Sequence, residues 1–187
     1  FITQAGGDWY RQRPAAIFQM TYIGAPVIYY GDEIGMDGGK DPDNRRAMEW
    51  QYVDGALRKV SGVAPSGTEV SRQARADQLF GLYQKLIATR KAEPALRRGD
   101  FSVLATHNAD STLVYRRKLE DVDRDAIVAI NNNVTNKDIR IPLAGVADDG
   151  TRFTDALSGR TYEVHGGEIK LINVDGNFGA VLLRDVA

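Results

Sequence analysis

The sequence predicts an α+β protein in which a helix–strand–loop–helix portion precedes an all-β antiparallel sandwich. Three observations carry this prediction. The β-branched and aromatic run Val27–Tyr30 is apolar on both faces, as strands of buried parallel sheets are. Leu79, Leu82 and Leu86 belong to a clean amphipathic stripe at helical spacing. Beyond residue 100, short strand patterns alternate closely with turn signals, as in antiparallel sandwiches.

The first element is a helix between Asp8 and Gly24. Asp8 is a suitable N-cap because its carboxylate can accept hydrogen bonds from the first free N–H groups, and Gly24 is a suitable stop. Between these residues the apolar side chains recur at helical spacing: Ala16, Ile17, Met20 and Ile23. Pro14 lies within the segment, so we expect the regular helix to begin close to it. The strand Val27–Tyr30 follows almost at once.

A long loop, residues 31–68, separates this strand from the next helix. The loop is rich in glycine and charged residues and has no sustained periodicity. Loops of this length inside compact domains are usually functional or disordered. A second helix is predicted over residues 69–91, with Arg90 and Lys91 in its last turn, where positive charge suits the helix dipole. Pro94 follows shortly after.

Eight short strands are predicted in the remainder of the chain, and turns rich in Asn, Asp and Gly separate them. They are Phe101–His107, Leu113–Lys118, Ala126–Asn131, Asp138–Pro142, Thr151–Asp155, Thr161–Val164, Glu168–Asn173 and Ala180–Arg184. The change of character lies near residues 97–100. We therefore expect one unit over residues 1–98 and a second, all-β unit over residues 99–187.

Composition narrows the range of functions. The 187 residues include 24 basic and 25 acidic side chains, for a net charge of −1, and 43% are apolar. This balance argues against a disordered chain and against a nucleic-acid-binding protein, which should carry a basic surplus. Because there is no cysteine and there are only two histidines, a disulfide framework, a cysteine nucleophile and a thiolate or multi-histidine metal site are excluded.

The termini and hydropathy suggest where the protein acts. No run approaches the roughly 18 apolar residues of a membrane span, and no signal-type segment opens the chain. We expect a cytoplasmic protein with no cofactor, no metal, no membrane partner and no nucleic-acid partner. The chain opens at Phe1 without a methionine, from which we expect that it begins inside a longer protein.

The densest cluster of functional groups is the first half of the loop, directly after the predicted parallel strand, where α/β folds place binding sites. Asp32 and Glu33 are adjacent, so their side chains point in different directions, whereas two catalytic carboxyl groups must face each other across a sugar. The favoured interpretation is therefore that one of them hydrogen-bonds the loop or pairs with an arginine.

Asp41 and Arg45 form a second candidate pair, four residues apart with Pro42 between them. A carboxylate acceptor and a planar, forked donor suit the hydroxyl groups of a sugar. The other interpretation, which spacing alone favours, is a local salt bridge that braces the loop; exposed pairs of this kind contribute about 0–1 kcal/mol. A calcium loop is disfavoured because Arg46 stands where an EF-hand needs glycine.

Other polar and aromatic residues give weaker signals. His107 and His165 fall near turns of the all-β part and are best explained as ordinary surface or strand-end histidines. Trp9, Trp50 and Tyr52 have rings that could stack on a sugar, and packing against a neighbouring helix is an equally good explanation.

Three segments resemble the α-amylase family of glycoside hydrolases. Residues 24–33 (GAPVIYYGDE) resemble the last barrel strand of that family. Residues 35–50 (GMDGGKDPDNRRAMEW) are similar to its neopullulanase, cyclomaltodextrinase and maltogenic amylase branch. Residues 82–99 (LYQKLIATRKAEPALRRG) resemble the last barrel helix and the exit from it. The all-β remainder resembles the family's C-terminal sandwich in position and style only.

The resemblance implies a (β/α)8 barrel with its active site at the carboxyl ends of the strands. Retaining hydrolysis in the family uses an aspartate nucleophile, a glutamate acid/base and a stabilising aspartate, and all three would precede Phe1. Residues 1–98 would then be the end of the barrel, with no catalytic residue, and residues 99–187 the C-terminal sandwich. Asp41 and Arg45 match the family pair that contacts glucose units on the non-reducing side of the cleavage point. Asp32 and Glu33 match the strand-end motif, where a supporting structural role is expected.

We therefore expect part of an α-glucan hydrolase whose ligand is an α-glucan oligosaccharide from maltodextrin, cyclodextrin or pullulan. The isolated chain is expected to be inactive, and its unpaired apolar surface should favour self-association. Two alternatives stay open: a stand-alone carbohydrate-binding or structural β-module with a helical appendage, and a family member that transfers glucosyl units.

Overall fold

The computed structural model of the chain describes residues 1–48, 52–53, 56–57, 69–120 and 124–185. The helices are α1 (Gln12–Thr21), α2 (Glu69–Ala92) and α3 (Pro94–Arg98), and three-residue 3-10 turns lie at Trp9–Arg11, Asp32–Ile34 and Asp43–Arg45. The strands are β1 (Tyr52–Val53), β2 (Ala56–Leu57), β3 (Asp100–His107), β4 (Thr112–Leu119), β5 (Arg124–Asn131), β6 (Lys137–Pro142), β7 (Arg152–Asp155), β8 (Thr161–Glu163), β9 (Glu168–Val174) and β10 (Phe178–Arg184). None of the described helices is long and apolar enough to cross a membrane.

The first helical segment begins and ends as local chemistry requires. Asp8 is the N-cap, as predicted, and its Oδ1 accepts a hydrogen bond from the Tyr10 N–H at 3.0 Å. The residues that follow form a 3-10 turn before α1 starts, and Pro14 falls in the first turn of α1, where a missing N–H costs no helical hydrogen bond. The helix ends at Thr21, before the predicted stop, because Tyr22 turns into an extended conformation.

The buried strand predicted at Val27–Tyr30 is not formed in this chain. The structure has no strand there, and Val27 is 79% exposed while Tyr29 is 50% exposed. A strand exists only when a neighbouring strand accepts and donates its backbone hydrogen bonds. In the sheets that the described residues form, no strand lies beside this segment. The segment therefore lies outside the sheets that the described residues form.

The second helix agrees with its predicted pattern. The predicted range of 69–91 differs from α2 by one residue, and the stripe residues Leu79, Leu82, Tyr83 and Leu86 are all buried. Pro94 does not simply follow the helix. It is the first residue of α3, which the sequence did not predict, and the buried Glu93 caps α3 by accepting a hydrogen bond from the Ala95 N–H at 3.0 Å.

All eight strands predicted after residue 100 are present, with ends that differ from the prediction by no more than two residues. Six of them form one antiparallel sheet in the order β3-β4-β5-β10-β7-β8, and β6 pairs with β9 in a separate two-stranded sheet. Strand β5 is buried almost throughout because its two faces serve two different cores.

Alternate residues of the six-stranded sheet point into these two cores, as the two-residue period of a strand requires. One face carries Tyr115, Ala126, Val128 and Val181 and packs against α1, α2 and α3. The opposite face carries Val114, Ile127, Ala129 and Leu182 and packs against Ile139 and Ile141 of β6 and Ile169 and Leu171 of β9. The first core thus contains residues from both sides of residue 98.

Two buried arginines hold the end of α1 where the helical layer meets the sheet. Arg117 of β4 is fully buried and donates to the carbonyl oxygens of Thr21, at 2.6 Å, and Gly99, at 2.7 Å. Arg90 of α2 donates to the carbonyl oxygens of Met20, at 2.8 Å, and Tyr22, at 3.1 Å. The last carbonyl groups of a helix have no helical partner and carry partial negative charge, so guanidinium groups stabilise them. These hydrogen bonds therefore fix the position at which the chain leaves α1.

Candidate functional site

The loop begins with a tight turn that its own side chains close. The 3-10 turn Asp32–Ile34 lies between Gly31 and Gly35, whose φ angles of +93° and +71° favour glycine. Glu33 Oε2 accepts a hydrogen bond from the Gly31 N–H at 2.9 Å, and the Gly31 oxygen accepts one from the Met36 N–H at 2.8 Å. Ile34 is buried. The buried side chain of Ile34 therefore anchors the turn, and the two hydrogen bonds at Gly31 close it.

Asp32 faces the helices rather than open solvent. It is partly buried, and its carbonyl oxygen accepts a hydrogen bond from Gln12 Nε2 of α1 at 3.3 Å. Burial raises the pKa of the Asp32 carboxyl group. Burial also raises the pKa of Tyr83 on α2 to about 12, and the charges of Asp32 and Glu33 add to that effect. Asp32 and Glu33 thus lie next to the α1–α2 pair.

Asp41 and Arg45 are brought together by the 3-10 turn Asp43–Arg45. Arg45 Nε lies 3.0 Å from Asp41 Oδ1, and the side chains of Arg45 and Asp41 are 69% and 63% exposed. The two side chains therefore form a local ion pair, and both are exposed enough to contact a ligand. The peptide bond between Asp41 and Pro42 is cis.

A second arginine, Arg46, ties the loop together, and sequence reasoning missed this role. Its Nη2 donates to Asp43 Oδ2 at 2.8 Å, its Nε donates to the other oxygen of the same carboxylate, and its Nη1 donates to Asp37 Oδ1 at 3.2 Å. Asp43 Oδ2 also accepts a hydrogen bond from the Gly39 N–H at 2.6 Å. The hydrogen bond from Arg46 is the main reason that the pKa of Asp43 is lowered. We call Asp37, Asp43 and Arg46 the loop brace.

The loop brace changes how the predicted pair is understood. An arginine that grips one carboxylate with two N–H groups is geometrically specific, so Arg46 and Asp43 supply the bracing that was considered for Arg45 and Asp41. The adjacent arginines have different surroundings. Among the described residues, Arg46 has two acidic partners and the exposed Arg45 has one. The spacing of three residues between Asp43 and Arg46 was the available signal in the sequence.

Two exposed tyrosines border the same loop. The hydroxyl of Tyr30 donates to the Arg46 carbonyl oxygen at 3.1 Å, and that of Tyr29 donates to the Asn44 carbonyl oxygen at 3.4 Å. The ring centroids lie 4.7 Å apart, and the two residues are 50% (Tyr29) and 41% (Tyr30) exposed. Exposed aromatic rings beside accessible donors and acceptors are the chemistry that binds sugar rings. The prediction of a buried strand did not place these two rings beside the loop.

Three of the remaining candidates, Trp9, His107 and His165, lie outside the loop segment. Trp9 is buried in the first core, so the packing explanation is correct for it, and Trp50 lies outside the described residues. Tyr52 is described as part of β1 only. His107 ends β3 and is exposed, and His165 is exposed with Glu163 Oε1 3.6 Å away. Within the described ranges, no group of three or more His, Asp or Glu side chains is placed to hold a metal ion.

The family model for the alpha amylase catalytic domain matches residues 1–99, which include the loop. The chain belongs to the alpha-amylase family. Among its relatives are the amylopullulanase of Thermoanaerobacter thermohydrosulfuricus, with 37% identity over 94% of this chain, and neopullulanase 2 of Thermoactinomyces vulgaris, with 35% identity over 91%. A solved structure of a cyclomaltodextrinase covers 98% of the chain with a TM-score of 0.75 and 28% identity.

This member of the alpha-amylase family is short beside those relatives. The chain spans 11% of the amylopullulanase, 25% of neopullulanase 2 and 27% of the solved cyclomaltodextrinase. The structural match nevertheless continues past residue 99, because it covers nearly the whole chain and therefore includes the β-rich half.

Proposed function

We propose that this chain is part of an enzyme that hydrolyses α-glucosidic bonds in maltodextrin, cyclodextrin or pullulan with retention of configuration, and that it supplies one wall of the glucan cleft. Asp41 and Arg45 would bind glucose units on the non-reducing side of the cleavage point. The observation that carries this proposal is their accessible ion pair at the tip of a braced loop, in a chain of the alpha-amylase family.

The chemistry of the loop supports binding rather than bond cleavage. Asp41 can accept hydrogen bonds from sugar hydroxyls and Arg45 can donate to them in a fixed plane. Tyr29 and Tyr30 offer ring faces for the apolar side of a glucose unit. The nucleophile and the acid/base, which must approach the bond from two sides, would come from the rest of a longer polypeptide.

We propose that the chain consists of two structural units, one after the other in the sequence. Residues 1–98 would be the end of a (β/α)8 barrel, and residues 99–187 a C-terminal sandwich. The end of the family match at residue 99 and the two opposed sheets support this division. The exposed segment Val27–Tyr30 would be the last barrel strand, with its partners elsewhere in that polypeptide. Because its apolar side chains are exposed here, light scattering of the isolated chain should detect self-association.

Activity assays on maltodextrin test the proposal directly. The longer polypeptide should release reducing ends, and NMR of the product anomers should show retention. The isolated 187-residue chain should release none. Turnover by the isolated chain would contradict the claim that the catalytic carboxylates lie outside it.

Kinetics test the subsite assignment. In the longer polypeptide, Asp41→Ala and Arg45→Ala should each raise KM for maltotriose, since a lost charged hydrogen bond corresponds to about a tenfold loss of affinity. Gln84→Ala, an exposed amide on α2, is the matched control. Unchanged KM in both loop variants would mean that the pair does not contact substrate.

A further inference from the structure

A groove of about 680 Å³ lies between α1 and the turn that joins β3 to β4. Its size falls in the range of ligand-binding sites, roughly 300–1,000 Å³. The first turn of the chain contributes Phe1 and Gln4, α1 contributes Phe18, the β3–β4 turn contributes Asn108, and Asn132 follows β5. Four separate segments therefore converge on one concave surface.

The groove presents amide groups that the fold does not use. Within the described part of the chain, the side chains of Gln4, Asn108 and Asn132 have no hydrogen-bonding partner. The neighbouring Asn131 is different: it is fully buried, and its Nδ2 donates to the carbonyl oxygens of Thr135 and Val174 at 3.0 Å each. Asn131 therefore holds the fold together, whereas Asn132 is available to a ligand.

Aromatic rings form the apolar part of the same surface. Phe1 lines the groove, and Phe18 is 38% exposed. The ring of Phe18 is held by stacking on Tyr22, with centroids 4.7 Å apart, and by an edge contact with Tyr115 at 6.1 Å. A ring fixed in this way loses little side-chain entropy when a ligand packs on it.

The charge of the groove selects among ligands. The described residues that line it include no carboxylate, and the lining Arg11 has Asp8 3.4 Å away. Neutral amides beside aromatic rings suit a neutral, polyhydroxylated ring, whose hydroxyls exchange hydrogen bonds with amides and whose C–H face packs on a phenyl ring. A cationic ligand would find no carboxylate among these described residues.

We propose that this groove is a second binding site for a short α-glucan, separate from the loop that carries Asp41 and Arg45. The choice of sugar rests on the proposed function. The two sites are neighbours through the first turn of the chain: Thr3 Oγ1 accepts a hydrogen bond from the Gly38 N–H at 3.0 Å, while Phe1 and Gln4 line the groove.

Titration of the 187-residue chain with maltotriose, followed by NMR of backbone and side-chain amides, tests the site. Resonances of Asn108 and Asn132 should shift on addition of the sugar. Asn108→Ala and Asn132→Ala should each weaken this binding about five- to tenfold, the loss that one hydrogen bond corresponds to. Gln84→Ala, an exposed amide outside the groove, should leave it unchanged. Thermal melts of both Asn variants check that they fold.

Three results would overturn the groove proposal. One is the absence of any maltotriose-dependent shift at Asn108 and Asn132. Another is binding that Arg45→Ala abolishes while both Asn variants bind normally, which would support the loop instead. A third is an apolar peptide that shifts the groove resonances where maltotriose does not. Failure of the longer polypeptide to hydrolyse glucans would count against the proposed function and not against groove binding.

Discussion

Replacing Arg117 with methionine should sharply destabilise the chain, because Arg117 joins the helical layer to the sheet. The side chain is fully buried and makes short hydrogen bonds to the carbonyl oxygens of Thr21 and Gly99. Each hydrogen bond to a charged group contributes about 1.5–3 kcal/mol, so the two sum to about 3–6 kcal/mol. Methionine keeps the apolar stem and removes a charge whose burial lowers the pKa of Arg117. We therefore expect a net loss of about 2–4 kcal/mol in the free energy of unfolding.

Urea unfolding, followed by far-UV circular dichroism and tryptophan emission, measures this loss. With a slope of about 2 kcal/mol per molar urea, in the middle of the range for small proteins, the midpoint should fall by about 1–2 M. Arg152→Met is the matched control, because Arg152 is an exposed arginine on the short strand β7. Arg117→Lys should lie between the two, since lysine keeps the charge but cannot reach both carbonyl groups with a planar fork.

If the unfolding free energy of Arg117→Met lies within about 0.5 kcal/mol of that of Arg152→Met, the buried hydrogen bonds do not stabilise the contact between α1 and the sheet.

Three titration experiments probe the loop and its surroundings. Arg46→Gln should return the lowered pKa of Asp43 toward the ordinary aspartate value, as NMR of the carboxyl carbon would show. In the unsubstituted chain, the loop brace should stabilise the folded state fully at pH values above the ordinary aspartate pKa. That stabilisation should be lost as the pH falls through the lowered pKa of Asp43. An unchanged midpoint would contradict the brace. Asp32→Asn should raise Tm at neutral pH, and the gain should vanish as the pH falls to about 3.9, because burial disfavours only the charged form; a gain independent of pH would point to another cause. Ultraviolet titration should contain a tyrosine step near pH 12 that Tyr83→Phe removes, and its persistence in that variant would assign the step elsewhere.

Local patterns were sufficient for most of the fold. The amphipathic stripe from Leu79 predicted α2 to within a residue, and alternation with turn signals predicted all eight later strands. Both patterns reflect burial on one face of an element, which depends on neighbours in the sequence. The prediction failed at Val27–Tyr30, because a strand needs hydrogen-bonding partners that no local pattern supplies.

Local sequence patterns predicted only some of the contacts in the candidate site. The spacing of Asp41 and Arg45 predicted an ion pair, which is present. The same spacing argument could not tell which arginine braces the loop. That choice depends on Asp37, which is nine residues from Arg46 in sequence, and on Gly39, whose N–H meets the same carboxylate as the arginine.

The sequence by itself determined the element types, the antiparallel character of the β-rich half and the residues that belong to the family motif. The tertiary structure decided the strand order β3-β4-β5-β10-β7-β8, the burial of both faces of β5 and the convergence of Phe1, Asn108 and Asn132 on one groove. The physical reason is range: propensity and periodicity act over a few residues, whereas strand pairing and buried hydrogen bonds such as that from Arg117 to Thr21 join residues far apart in the chain.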